Sequence, residues 1–167
     1  MIGDVHCDGL LTLAVNSHIG RGNMYKRILV PTDGSDISAV AADAAIAFAK
    51  ICGSEVVALS VVQPDAMSRS GEDVATGILD VDVLMEEGQR YVGRIAEAAT
   101  KAGIHCTVVT CYGISPSDEI IDTVKRTGCD LVFIASHGRR GLSRLIAGSV
   151  TQRVLAYSPV PVMVYRP

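Results

Sequence analysis

The stretch "DLVFIASHGRRGLSRLIAGSVTQRVLAY", residues 130–157, sets three kinds of sequence end to end. "DLVFIA" is a short apolar run of the sort that forms a strand buried on both faces. "SVTQRVLAY", 149–157, reads as a helix. Between them, the 17 residues from Ile134 to Val150 hold three glycines, three arginines, one histidine and no carboxylate. A buried strand leading through a bare, positive loop into a helix is the building unit of an open α/β sheet. Glycines let a backbone approach a ligand closely. Exposed N–H groups in such a loop and at the following helix N-terminus favour an anion. Gly148 and Ser149 lie where that helix begins, and Ser149 can cap it; Arg139, Arg140 and Arg144 add positive charge. The loop is neither a Walker A motif, since no G-K-[ST] follows, nor a G-x-G-x-x-G fingerprint. A tight turn leading into a helix would use similar glycines.

Working outward, strand and helix patterns alternate along the chain. "KRILVP" (26–31) reads as a first strand. "SDISAVAADAAIAFAKICG" (35–53) reads as a helix, capped by Ser35 or Asp36, with Val40, Ala44, Phe48 and Ile51 on one face and Gly53 at its end. "EVVALSVV" (55–62) is a second buried strand. A polar loop runs from Gln63 to about Gly77. A long helix follows over roughly 80–102, with Leu84, Tyr91, Ile95 and Ala98 or Ala99 on one stripe. "HCTVVTCYG" (105–113) is the third strand. "SPSDEIIDTVKRTG" (115–128) is a helix with Ser115 at the N-cap, Pro116 at N1 and Gly128 at its close. "VPVMVYR" (160–166) is the last strand. Alternation of this kind predicts a single-domain, Rossmann-like parallel sheet with helices on both faces. Ligands of such sheets bind at the strands' carboxyl ends, where the strand order reverses. Two strand ends carry suitable chemistry: "PTDGS" (31–35) and the loop quoted first.

Length and composition agree with one domain. The chain has 167 residues, 49% of them hydrophobic, and a net charge of −3. That balance argues against nonspecific nucleic-acid binding. From Leu131 onward there are five arginines and no Asp or Glu, leaving ten basic against eighteen acidic residues elsewhere. A one-signed tail points to an anionic partner, or to arginines paired with acids from the rest of the fold. The five cysteines, at 7, 52, 106, 111 and 129, show no CxxC or zinc-like spacing and suit reduced thiols in a cytoplasm. Cys106 and Cys111 are an odd number apart on one strand and so face opposite ways. Residues 1–23 stand apart as an N-terminal extension of unknown role, and Met24 reads as the natural start of the 24–167 domain. The extension's apolar run, "LLTLAV", is too short for a signal peptide or membrane span. No membrane partner is expected.

"MYKRILVPTDGSDISAVAADAA" (24–45) and "DLVFIASHGRRGLSRLIAGSVTQRVLAYSPVPVMVYR" (130–166) together resemble the universal stress protein family, over essentially Met24 to Arg166. The resemblance implies a five-stranded parallel sheet in the order 3-2-1-4-5 and a homodimer. It also implies ATP as ligand, with Mg2+, in the branch that carries G-x2-G-x9-G-[ST]. The corresponding frame here is Ala135-x2-Gly138-x9-Gly148-Ser149, so alanine replaces the first glycine. By resemblance, Asp33 holds the ribose and Val61 meets adenine through its backbone. Gly138, Gly148, Ser149 and Val150 surround the phosphates. Pro31, Thr32 and Ile134 line the base and sugar pocket. His137 anchors the loop or faces phosphate, with Arg139 beside it; no Ser/His/Asp set can be assembled around that histidine. The last strand, with Val160, Val162 and Val164 on one face, is an apolar edge that pairing with a twin would cover.

Three functional classes follow: an ATP-binding cytoplasmic regulator whose occupancy sets dimer or partner state, a slow ATPase, and a dimeric interaction module without nucleotide. The first is favoured by the retained Gly138 and Gly148-Ser149.

Overall fold

A computed structural model describes residues 24–63, 81–138 and 147–166. Its elements alternate: β1 (Arg27–Thr32), α1 (Asp36–Cys52), β2 (Glu55–Val62), α2 (Val81–Lys101), β3 (Cys106–Tyr112), α3 (Pro116–Thr127), β4 (Leu131–Ala135), α4 (Ser149–Tyr157) and β5 (Val162–Tyr165). The five strands form one parallel sheet in the order β3-β2-β1-β4-β5. Alternate residues of the buried strands feed two cores. Ile28, Val30, Val56, Ala58 and Phe133 meet α1 and α2 on one face. Leu29, Val57, Leu59, Val132 and Ile134 meet α3 and α4 on the other. Cys106 packs on the first face and Cys111 on the second, as their odd spacing requires.

The helix faces needed the structure. α1 turns Ala41, Ala42, Ala45, Ile46 and Ala49 to the sheet, leaving Val40 and Ile51 largely exposed at 44% and 84%. The expected stripe therefore fails at Val40 and Ile51, while Ala44 and Phe48 do pack, partly buried, against the core. A ridge of alanines lets the helix lie close to the sheet, so small side chains pack best. On α2 the buried stripe is Leu84, Gly88, Val92, Ile95 and Ala99, with Tyr91 only half-buried beside it. Gly88 is required by close approach, because a Cβ there would lie 2.7 Å from Thr110 Cγ2 and 2.8 Å from Val62 Cγ2.

The caps follow local chemistry. The Ser35 hydroxyl accepts from the Ser38 N–H at the start of α1, and Gly53 closes that helix in left-handed geometry. Ser115 precedes Pro116 as expected, but its hydroxyl bonds the Ser117 hydroxyl at 3.1 Å and makes no backbone cap. At α4 the N-cap is Gly148, and Ser149 is the first helical residue, which corrects the expectation of Ser149 as cap. The last strand begins after Pro161 and is only four residues long. The extension (1–23), the polar loop after Gln63 and the arginine loop (139–146) lie outside the described residues.

Candidate functional site

Strand register opens the site. β1 pairs β2 along six residues but pairs β4 only at Ile28–Leu131 and Leu29–Val132. Beyond that point β1 and β4 part, at the place where the chain order reverses. A cavity of about 300 Å3 occupies the gap above their carboxyl ends. Pro31, Thr32 and Asp33 enter it from the end of β1, and Val61 from β2. Ile134, Ala135, His137 and Gly138 enter from β4, and Gly148, Ser149 and Val150 from the start of α4. Of the residues singled out for this site, Arg139 lies outside the described residues, as do Arg140 and Arg144.

The turn after β1 is braced from within. Asp33 Oδ1 accepts from the Ser35 N–H at 3.1 Å and from the Ser35 hydroxyl at 2.6 Å. Thr32 Oγ1 accepts from the Gly34 N–H at 3.1 Å and lies 3.0 Å from Ser38 Oγ. Asp33 therefore caps its own turn while also facing the cavity. Its Oδ2 lies so near Gly138 that a Cβ there would approach it to 2.4 Å. The loops after β1 and β4 thus meet at an Asp33–Gly138 contact, where a side chain on residue 138 would push the Asp33 carboxylate aside.

The start of α4 is pinned to the end of β4. The Gly148 N–H donates to the Ser136 carbonyl at 2.8 Å, and the Thr151 hydroxyl donates to the Ala135 carbonyl at 2.9 Å. These two bonds bracket the arginine loop. They fix a helix end at which the N–H groups of Ser149, Val150 and Thr151 have no intrahelical acceptor. Such an end attracts negative charge. His137 Nδ1 lies 3.0 Å from Ser136 Oγ, which ties the ring to the loop base. Ala135 is the last residue of β4, and no described residue other than glycine has a positive φ.

A model of the universal stress protein family matches residues 24–166. The chain belongs to the universal stress protein family. Universal stress protein MJ0531 of Methanocaldococcus jannaschii is 33% identical over 153 residues, covering 91% of this chain and 89% of that protein. The solved structure of MJ0577, from the same organism, superposes with a TM-score of 0.73 at 29% identity, covering 86% of this chain and 97% of that one. A universal stress protein from Archaeoglobus fulgidus, solved in complex with dAMP, shares the fold at 20% identity and a TM-score of 0.59, covering 85% and 98%.

Part of the cavity wall escaped the reading of the sequence. Leu84, Glu87, Gly88 and Tyr91 of α2 line it, and Glu87 adds a second carboxylate to that of Asp33. Tyr91 donates its hydroxyl to Glu87 Oε1. Gly88 was the available signal, since an isolated glycine in a helical pattern often marks close backbone approach. Among the described residues no group of three or more His, Cys, Asp or Glu is placed to hold a metal. None of their helices is long and apolar enough to cross a membrane. Arg153 bonds Asp118 at 3.3 Å, so this arginine of the one-signed tail is spent within the fold. Burial pushes the Cys111 thiol up to about 11, with Glu119 adding to the effect, which disfavours the reactive thiolate.

Proposed function

We propose that this chain is a cytoplasmic regulatory protein that binds ATP in the β1/β4 crevice and works as a nucleotide-dependent homodimer. One observation carries the reading. The cavity is lined by apolar groups (Pro31, Leu59, Val61, Ile134) and also reaches the open N–H groups of a helix pinned in place. A nucleoside with a phosphate tail has that division of polarity. Adenine lies against the apolar wall and takes its hydrogen bonds from the backbone near Val61. Asp33 accepts from the ribose hydroxyls. Gly138, Gly148, Ser149 and Val150 surround the phosphates. Mg2+, if carried in on the phosphates, would offset their charge, and the Asp33 carboxylate beside Gly138 is the protein group that could reach it through water. The free cysteines at 52, 106, 111 and 129 accord with a reducing compartment.

The backbone supplies a route from ligand to dimer. The Ser136 carbonyl accepts from Gly148 at the phosphate end, and its N–H donates at 2.8 Å to Tyr165 of the edge strand β5. Pro161 and Tyr165 direct their carbonyls at β4, so strand alternation turns the N–H and C=O groups of Val162 and Val164 outward. Those groups are free to pair with a second copy.

Thermal denaturation with and without MgATP tests the reading. At 100 times its dissociation constant, ATP adds about 2.7 kcal/mol to stability. A flat melting temperature together with a flat titration of a fluorescent ATP analogue would leave the interaction-module reading in its place. Sedimentation of Val164→Pro tests the dimer. Proline removes one outward donor while sparing the β4 ladder, so the species shifts toward monomer. An unchanged dimer places the interface elsewhere.

A further inference from the structure

The Glu87–Tyr91 pair of α2 borders the cavity and has no part in the reading above. Glu87 lies on the half-buried side of α2, one residue before the Gly88 contact that presses the helix onto β2 and β3. The Tyr91 hydroxyl donates to Glu87 Oε1 one helical turn away, which fixes the carboxylate's orientation. The Tyr91 ring is itself seated against Gly34, the residue after Asp33. A Cβ on Gly34 would fall 2.3 Å from its Cζ, and Gly34 adopts φ +77. Tyr91 is thus wedged between the turn that carries Asp33 and the carboxylate of Glu87. Both Asp33 and Glu87 line the same cavity. Charge in the site is accordingly graded, with the Glu87 carboxylate on the α2 side, that of Asp33 beside Gly138, and open N–H donors at the start of α4.

We infer that Glu87 is a specificity-determining residue that selects nucleotides whose ribose hydroxyls are free, with Tyr91 as its positioning residue. The inference rests on the nucleotide reading, with the phosphate tail at α4 and the sugar at Asp33. A ribose hydroxyl is a hydrogen-bond donor and suits a cavity that holds the carboxylates of both Asp33 and Glu87. A 3′-phosphate is an anion brought into the same cavity. Screening by physiological salt acts over roughly 8 Å and is weaker at partly buried charges, so a cavity of this size offers little relief from the repulsion. Discrimination against such a ligand comes from the unfavourable contact as much as from the favourable one.

The experiment compares AMP with adenosine 3′,5′-bisphosphate, which differ by the 3′-phosphate alone. Isothermal titration of each gives a ratio of dissociation constants for wild type, Glu87→Gln, Tyr91→Phe and Glu97→Gln. Glu97 is an exposed residue of the same helix, away from the cavity, and its substitution removes an equal charge. Wild type is expected to bind the bisphosphate at least tenfold more weakly than AMP. Glu87→Gln lowers that ratio at least threefold, Tyr91→Phe lowers it by a smaller factor because the carboxylate loses its anchor, and Glu97→Gln leaves it unchanged. Loss of packing would weaken both ligands together and leave the ratio unmoved. Equal binding of the two ligands by wild type, or a ratio that Glu87→Gln moves less than threefold, overturns the inference and leaves nucleotide binding standing. If wild type binds neither these ligands nor ATP, the nucleotide reading falls and the inference falls with it. Should Glu87→Gln fail to fold, a Tyr91→Phe ratio equal to that of wild type is the overturning result.

Discussion

The two ends of this sheet are built from similar residues and put to opposite uses. At the amino end the polar groups satisfy one another. Arg27 donates from Nε and a terminal nitrogen to Glu55 Oε2, at 3.1 and 2.7 Å, and from its other terminal nitrogen to the Thr127 carbonyl at 2.7 Å. Asp130 accepts from the N–H groups of Lys26 and Arg27, at 2.8 and 3.0 Å. The hydrogen bond from Arg27 holds the Glu55 carboxyl below its usual range. At the carboxyl end β1 and β4 separate, and the groups they carry converge on a space. The parallel sheet accounts for the difference. Every helix that returns the chain begins at the carboxyl end of a strand, so the helices' unused N–H groups collect there. The amino end has no such surplus and becomes a clasp.

Breaking each end separately should therefore give separate losses. Gly148→Val is the strongest case. Among the described residues, a Cβ at Gly148 meets the His137 Cα and the Ser136 carbonyl, both at 3.6 Å, so that backbone accepts the first carbon. The added methyls then compete for the space at the head of α4. The ATP-dependent rise in melting temperature is expected to vanish, while stability without ligand changes by about 1 kcal/mol or less. A retained rise would move the phosphates away from α4. Gly138→Val is a blunter tool, since its Cβ collides with Asp33 and disturbs the turn itself.

Asp130→Ala strikes the other end. It leaves the N–H groups of Lys26 and Arg27 without their side-chain acceptor and is expected to cost about 1–2 kcal/mol in denaturant unfolding. ATP affinity should be unchanged, because the clasp and the cavity lie at opposite ends of β1. A parallel fall in affinity would show that the two ends are coupled through the sheet.

What could be read from sequence follows the same division. Strands β1, β2 and β4 were legible because burial on both faces writes them as apolar runs. The caps at Ser35, Gly53 and Gly128 were legible because cap chemistry is local. The two loops at the strand ends could be picked out because an open parallel sheet leaves few places for a ligand, whereas the individual residues around them were named by family resemblance. The buried face of α1 was misread because alanine carries little hydropathy signal, and the larger Val40 and Ile51 looked like better core. The contribution of α2 was missed because Glu87 and Tyr91 reach the cavity only through tertiary packing, seating on Gly34 and on β2. No local pattern records that meeting.

The smallest expected effect concerns Ala135, where the family's glycine motif departs in this chain. If the carboxyl end works through its open helix terminus and its shape, one methyl at the strand end should matter little. Ala135 occupies ordinary strand geometry, paired with Tyr165, so glycine's access to positive φ is not needed there. Strand alternation turns its methyl toward the α1 face along with Phe133, whereas α4 packs on the other face with Ile134. Its carbonyl is already held by the Thr151 hydroxyl and would be held equally on a glycine. Ala135→Gly should accordingly change ATP affinity by less than about threefold, which is below 1 kcal/mol. It should also lower stability by roughly 0.5–1 kcal/mol through the added freedom of the unfolded chain. Titration of the fluorescent analogue and a denaturant curve on the same variant give both numbers. A tenfold gain in affinity would mean that the methyl obstructs the ligand, and that the strand end, more than the pinned start of α4, limits how well this cavity holds a nucleotide.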